Sequence, residues 1–152
     1  MKNEYDIRKI QFSSGAYWIE TVYTGKIILN IDFNKLVCKY SYKSNFYKNI
    51  IKWKISKKYL IKFYYELMVL DVFSWNKVYK ENAEDGGYWS LKIEYQNNEI
   101  FEVNSDNSYP DNYFEFFNIL QKYFPIIKMD NEYRKNIENK NVMQAHTSHN
   151  KR

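Results

Sequence analysis

The sequence predicts an α+β fold: an antiparallel sheet of about five to seven strands, packed on one face by two helices, in the order β-β-β-β-(β)-α-β-β-α. Three observations carry this. Apolar and polar residues alternate with period 2 through Lys35–Lys43 and Tyr88–Tyr95, as half-buried strands require. Apolar residues recur at helical spacing in Lys57–Val72 and Pro110–Tyr123. Gly, Asn, Asp and Pro fall between these stretches, where chain reversals are needed.

Taken in order, Ile7–Ser13 and Tyr17–Tyr23 read as two strands, with Gly15 as the turn between them and Gly25 ending the second. Lys26–Asp32 alternates Ile27, Leu29 and Ile31 against Lys26, Ile28 and Asn30, and Asp32–Asn34 turns the chain. In Lys35–Lys43, Leu36, Cys38, Tyr40 and Tyr42 face one way, while Lys35, Val37, Lys39, Ser41 and Lys43 face the other. After a loop at Ser44–Asn49, Ile51, Trp53 and Ile55 against Lys52 and Lys54 predict one more short strand. Ser56 is the expected N-cap of the first helix, whose apolar stripe is Tyr59, Leu60, Phe63, Tyr64, Leu67 and Met68. Lys62 is expected to pair with Glu66 one turn on.

The segment after Ser74–Trp75 reads as irregular and ends in the loop Glu84–Gly87. Tyr88–Tyr95, the turn Gln96–Asn98 and the returning Glu99–Asn104 form a hairpin. Pro110 opens the second helix. Phe114, Phe117, Leu120 and Phe124 make its inner stripe, with Phe116 and Ile119 flanking, and Pro125 stops it. The domain is expected to span 1–127. Residues 128–152 lack a sustained apolar period and read as a basic polar tail, flexible or a short helix, with little to anchor it.

Charge is unevenly placed. Residues 1–62 carry 13 Lys/Arg against 4 Asp/Glu, residues 63–127 carry 4 against 11, and residues 128–152 carry 6 against 3. From Phe33 to Tyr65 there are nine lysines and no acid, interleaved with aromatics. The expected binding residues are Lys35, Lys39, Lys43, Lys48, Lys52, Lys54, Lys58 and Lys62, with Phe46 and Tyr47 as aromatics free to be exposed. Arginine forks suit base edges and bidentate phosphate contacts, whereas lysine acts as a point charge. A lysine-only surface therefore points to sequence-blind contact with a phosphate backbone, or to an acidic protein surface. A solvated face, neutralised by the acidic half of the same fold, is the plain alternative.

Catalytic and metal chemistry finds little support. The two histidines, His146 and His149, stand in the tail, and one cysteine excludes an internal disulfide. Cys38 lies mid-strand on the apolar face, the position of a buried structural thiol. Glu81, Glu84 and Asp85, with Asp106 and Asp111, form an acidic group without an alternating calcium-ligand pattern. No catalytic residue, metal or cofactor is expected. The start Met-Lys-Asn-Glu-Tyr-Asp is not followed by an apolar run and no stretch approaches the ~18 apolar residues of a membrane span, so a cytoplasmic location is expected.

Trp75, Tyr79, the run Asp85–Ile93 and Asn107-Ser108-Tyr109-Pro110 together resemble a signature of small bacterial and mobile-element proteins. In that signature a Trp and a Tyr precede Asp-Gly-x-x-Trp-x-Leu-x-Ile, and Asn-x-Tyr-Pro opens the last helix. It covers about a quarter of the chain. Ser105-Asp106 replaces the glycine usual before Asn-x-Tyr-Pro. The resemblance implies an element order and no activity. The heavy use of Lys, Asn, Ile, Tyr and Phe fits an AT-rich coding sequence, as in a low-GC bacterium or a phage living in one. The function expected is a small non-enzymatic binding or inhibitor protein of a phage or mobile element, anti-CRISPR-like or otherwise anti-defence. It would bind a larger nuclease, such as a ribonucleoprotein nuclease, or its nucleic-acid cleft through the lysine-rich face. The alternatives are direct sequence-nonspecific RNA or DNA binding and a toxin-immunity-type role.

Overall fold

The structure is a computed structural model that describes residues 6–17, 25–45, 47–80 and 86–137. It is an α+β fold built on one mixed seven-stranded sheet. The strands are β1 (Ile7–Tyr17), β2 (Gly25–Asp32), β3 (Val37–Ser44), β4 (Lys48–Lys54), β5 (Val78–Lys80), β6 (Gly86–Tyr95) and β7 (Ile100–Asp106). Their spatial order is β4-β3-β2-β1-β6-β7-β5, with β1 central. The helices are α1 (Lys57–Val69), α2 (Tyr113–Tyr123) and α3 (residues 126–137).

One face of the sheet is apolar and lies under the helices. Ile10, Phe12, Leu29, Ile31, Cys38, Tyr40, Trp89, Leu91, Ile93 and Val103 are buried there. Rings of the covering layer reach it directly: Phe12 meets Phe116 of α2 edge-on at 5.6 Å, and Phe101 meets Phe73, in the 3-10 turn Val72–Ser74 after α1, at 5.6 Å. Full burial of aromatic and aliphatic side chains of this size stabilises by about 1.5–3 kcal/mol each, so this face supplies most of the folding drive. The other face is not covered by any described element.

Several local signals act as read. The Ser56 hydroxyl accepts the Tyr59 N–H at 3.2 Å and caps α1, whose buried stripe is Leu60, Phe63, Tyr64 and Leu67. Asp32 Oδ1 accepts the N–H groups of Asn34 and Lys35 at 3.0 and 2.9 Å, closing the β2–β3 turn. Leu36, expected on the strand's apolar face, belongs to that turn with a positive φ of 56°.

Six expectations are corrected. Gly15 is not a turn. β1 runs through it and pairs with Lys26 on one side and Tyr88 on the other. A Cβ there would come within 2.5 Å of the Tyr88 ring, so glycine answers close approach and not chain reversal. The expected strand Tyr17–Tyr23 otherwise lies outside the described residues.

The sheet is not wholly antiparallel. β5, in a segment read as irregular, pairs parallel to β7 with Tyr79 opposite Ser105; three residues are too few to show a period. α2 is rotated from its predicted face. Tyr113, Phe116 and Leu120 are buried, and Phe114 is 75% exposed. Pro110 holds the turn before α2, its carbonyl accepting the Tyr113 N–H at 3.1 Å, so the helix starts three residues later and its inward face shifts.

Glu66 pairs with Lys122 of α2 at 3.0 Å, where Lys62 was expected. The contact of α1 with the end of α2 brings Lys122 to it, and Tyr59 Oη donates to the neighbouring Tyr123 carbonyl at 2.8 Å.

The boundary at 127 cuts through α3, and the first part of the expected tail is firmly held. Ile127, Asp130 and Arg134 are buried. Residues 138–152, with His146 and His149, lie outside the described residues.

Candidate nucleic-acid interface

The short reversal between β3 and β4 decides the geometry of the lysine block. The Ser44 N–H donates to the Tyr47 carbonyl at 2.8 Å, and the Tyr47 N–H returns to Ser44 Oγ at 3.2 Å. β3 and β4 are therefore antiparallel neighbours, with Lys43 opposite Lys48 and Lys39 opposite Lys52. Cys38, Tyr40 and Tyr42 point to the helices, so period 2 sends Lys39 and Lys43 to the uncovered face. On β4, Asn49, Ile51 and Trp53 point inward and Lys48, Lys52 and Lys54 outward. β2 adds Lys26, directly opposite Lys43.

Three directly opposed lysine pairs thus share one surface: 26–43, 43–48 and 39–52. Like charges facing each other across a ladder destabilise a sheet. None of Lys26, Lys39, Lys43, Lys48, Lys52 and Lys54 forms an ion pair among the described residues. Lys35, in the β2–β3 turn, lines a shallow depression on the same face with Lys9, Asn30, Asp32, Lys39 and Lys52. Toward the opposite edge the charge becomes mixed. Glu94 is contacted by Arg8 at 3.6 Å and Lys92 at 3.3 Å, and Glu102 and Asp106 follow on β7.

Of the predicted site residues, Lys35, Lys39, Lys43, Lys48, Lys52 and Lys54 are brought together. Lys58 and Lys62 are not. They lie on α1, in the layer beneath the sheet, and are exposed there. Phe46 lies outside the described residues. Tyr47 is not a free stacking platform: its hydroxyl donates to Asp130 Oδ1 at 2.7 Å, and its ring meets Tyr42 and Tyr133 at 6.0 and 5.8 Å. Lys26 was missed as a site residue. Its outward position was legible in the alternation of β2, but its proximity to Lys43 comes from strand pairing.

Beneath the lysine strands sits a polar network that the sequence did not announce. Asp130 of α3 accepts hydrogen bonds from Tyr40 Oη at 2.5 Å, Tyr47 Oη at 2.7 Å and Asn49 Nδ2 at 2.9 Å. Arg134 Nη1 pairs with Asp130 Oδ2 at 3.3 Å, and its guanidinium lies 4.0 Å from the centre of the Tyr42 ring. Burial pushes the Asp130 carboxyl up, but the donors Tyr40, Tyr47 and Asn49, and then Arg134, outweigh it and leave the pKa below the usual carboxylate value. Burial, and then the bond to Asp130, push the Tyr40 phenol up and the Tyr47 phenol up to about 12. The network ties β3, β4 and the reversal between them to α3. It holds in place the backbone that carries the lysines.

The signature residues converge on a second, architectural cluster. The Trp89 ring stacks with Tyr79 at 6.2 Å and with Tyr109 at 6.4 Å, and Trp75 meets it edge-on at 5.5 Å. Trp89 Nε1 donates to the Ser108 carbonyl at 3.0 Å and Trp75 Nε1 to Asn112 Oδ1 at 2.8 Å. These are core contacts with satisfied polar atoms.

Burial pushes the Cys38 thiol up to about 12, so it stays protonated and is a poor nucleophile. Among the described residues no group of three His, Cys, Asp or Glu is placed to hold a metal ion; Glu81, Glu84 and Asp85 lie outside them. No helix among the described residues is long and apolar enough to cross a membrane. The chain matches no protein-family model, and no curated protein sequence is significantly similar to it.

Proposed function

We propose that this is a small, non-catalytic binding protein that docks the uncovered face of β2–β3–β4 onto a polyanionic surface of a larger partner. The favoured partner is a nuclease of host defence and the nucleic acid it carries, engaged by an inhibitor from a phage or mobile element. One observation carries this reading: three directly opposed lysine pairs on one sheet face, bordered by a single acid of these strands, Asp32. The repulsion between these pairs is relieved when an anionic surface covers them. AT-rich residue usage supports the phage or mobile-element setting.

The test is recovery of a stoichiometric complex from a low-GC host carrying defence systems, using the full chain and its Lys39→Glu/Lys43→Glu/Lys52→Glu variant. A complex formed by the parent and lost in the variant, with unchanged circular dichroism, supports the reading. A complex that survives charge reversal, or no complex with either, overturns it.

A further inference from the structure

The outward lysines are not spread evenly. They fall in two rows that cross the strands. One row is Lys26, Lys43 and Lys48; the other is Lys39 and Lys52, extended by Lys54 and Lys35. The step from Lys43 to Lys39, and from Lys48 to Lys52, is four residues, which is about 13 Å at ~3.3 Å per residue. Between them runs an uncharged row of Ile28, Ser41 and Ile50, mutually paired across the strands. Ile50 is 51% exposed.

From this arrangement we infer that the face binds duplex DNA, the two lysine rows resting on the two phosphate backbones either side of a minor groove, with Ile50 and Ser41 over the groove. The inference rests on the polyanion-binding reading above and names its ligand. Three features select this ligand. Two parallel cationic rows match two backbones, where a single strand offers one. The outward positions of β3 and β4 hold no aromatic side chain, so the stacking platforms used for unpaired bases are missing there.

The spacing selects B-form DNA. Its minor groove is ~6 Å wide, which with the width of the phosphates themselves separates the backbones by about 12 Å; the A-form RNA minor groove is wider and shallower. Apolar side chains are common where proteins face the minor groove, and Ile50 holds that position. Beyond β1 the cations Arg8 and Lys92 are engaged by Glu94, which limits what that part of the face offers to phosphate.

The test is fluorescence anisotropy of the full chain with a labelled DNA duplex of about two turns, its separated single strand and an RNA duplex of the same sequence, each across a salt series. The expected result is duplex DNA bound at least about ten-fold tighter than either competitor. The five lysines that cross the strands, Lys26, Lys43, Lys48, Lys39 and Lys52, placed on phosphates give a log–log salt slope of about −4 to −5. Lys43→Glu/Lys48→Glu and Lys39→Glu/Lys52→Glu each abolish the preference, while Lys58→Glu/Lys62→Glu on α1 leaves it intact.

Equal or tighter binding of the single strand or the RNA duplex overturns the inference. So does an absence of nucleic-acid binding while a protein partner is captured through the same lysines. Both of those outcomes leave the polyanion-binding reading standing, whereas binding insensitive to either lysine row overturns both.

Discussion

Tyr40 donates its phenolic proton to Asp130 at 2.5 Å across 90 residues of chain. The bond joins the inner side of the strand that displays Lys39 and Lys43 to helix α3. The lysine face and the buried network are therefore two sides of one pair of strands.

Asp130→Asn is expected to cost about 3–5 kcal/mol, because it leaves the buried Arg134 without its counter-charge. At this chain length each kcal/mol lowers Tm by about 2–4 °C, so thermal melts read the effect directly. Arg134→Met added to Asp130→Asn should recover part of the loss. The folded-state pKa of Asp130 is depressed. Its contribution is then present above the unfolded carboxylate value of ~3.9 and is lost as pH falls from there through the folded value. The parent should lose stability over that acid range more steeply than Asp130→Asn.

At alkaline pH the sign reverses. Tyr47 is pushed up to about 12 by burial and Asp130, and Tyr123 up to about 12 by its bond to Glu66 and by burial. These phenols support the fold below the ordinary tyrosine value of ~10, and that support is lost as pH rises through about 12. Phenolate absorbance should show a late-titrating class that ionises as the protein unfolds, with Tyr47→Phe removing one member.

Lys52→Glu should stabilise the free protein while weakening binding. It turns the Lys39–Lys52 repulsion into a cross-strand attraction worth about 0.2–1 kcal/mol. Denaturant midpoints read the gain, which should shrink in salt as screening removes both the repulsion and the attraction. A destabilised Lys52→Glu protein would count against a strained lysine surface.

The rotated face of α2 separates two neighbouring phenylalanines. Phe116→Ala should cost about 3–5 kcal/mol, since Phe116 is fully buried against Phe12 and Trp75. Phe114→Ser, at a 75% exposed site, should shift the urea midpoint little. The reverse ranking would restore the helix face predicted from the apolar stripe.

Much of this fold was legible because its signals are local. Alternation in β3 and β6 assigned each residue a side, Ser56 capped α1, and Asn97 and Asn98 marked the hairpin turn, where Asn98 adopts a positive φ of 70°. β5 was illegible because three residues carry no period. Phe114 was misplaced because aromatics at 113, 114, 116 and 117 allow more than one inward stripe, and the start of the helix chooses among them.

By itself the sequence determined that Lys39, Lys43, Lys52 and Lys54 point away from the core, because a period of 2 leaves them no other side. Only the tertiary structure decided that they form two rows on one face, that Lys26 joins them and that Lys58 and Lys62 do not. Strand pairing and helix docking are contacts between distant residues, and alternation within one strand carries no record of its neighbour. The same holds for Asp130 and Arg134. Charged residues in a polar stretch read as solvated until Tyr40, Tyr47, Asn49 and Tyr42 are brought around them.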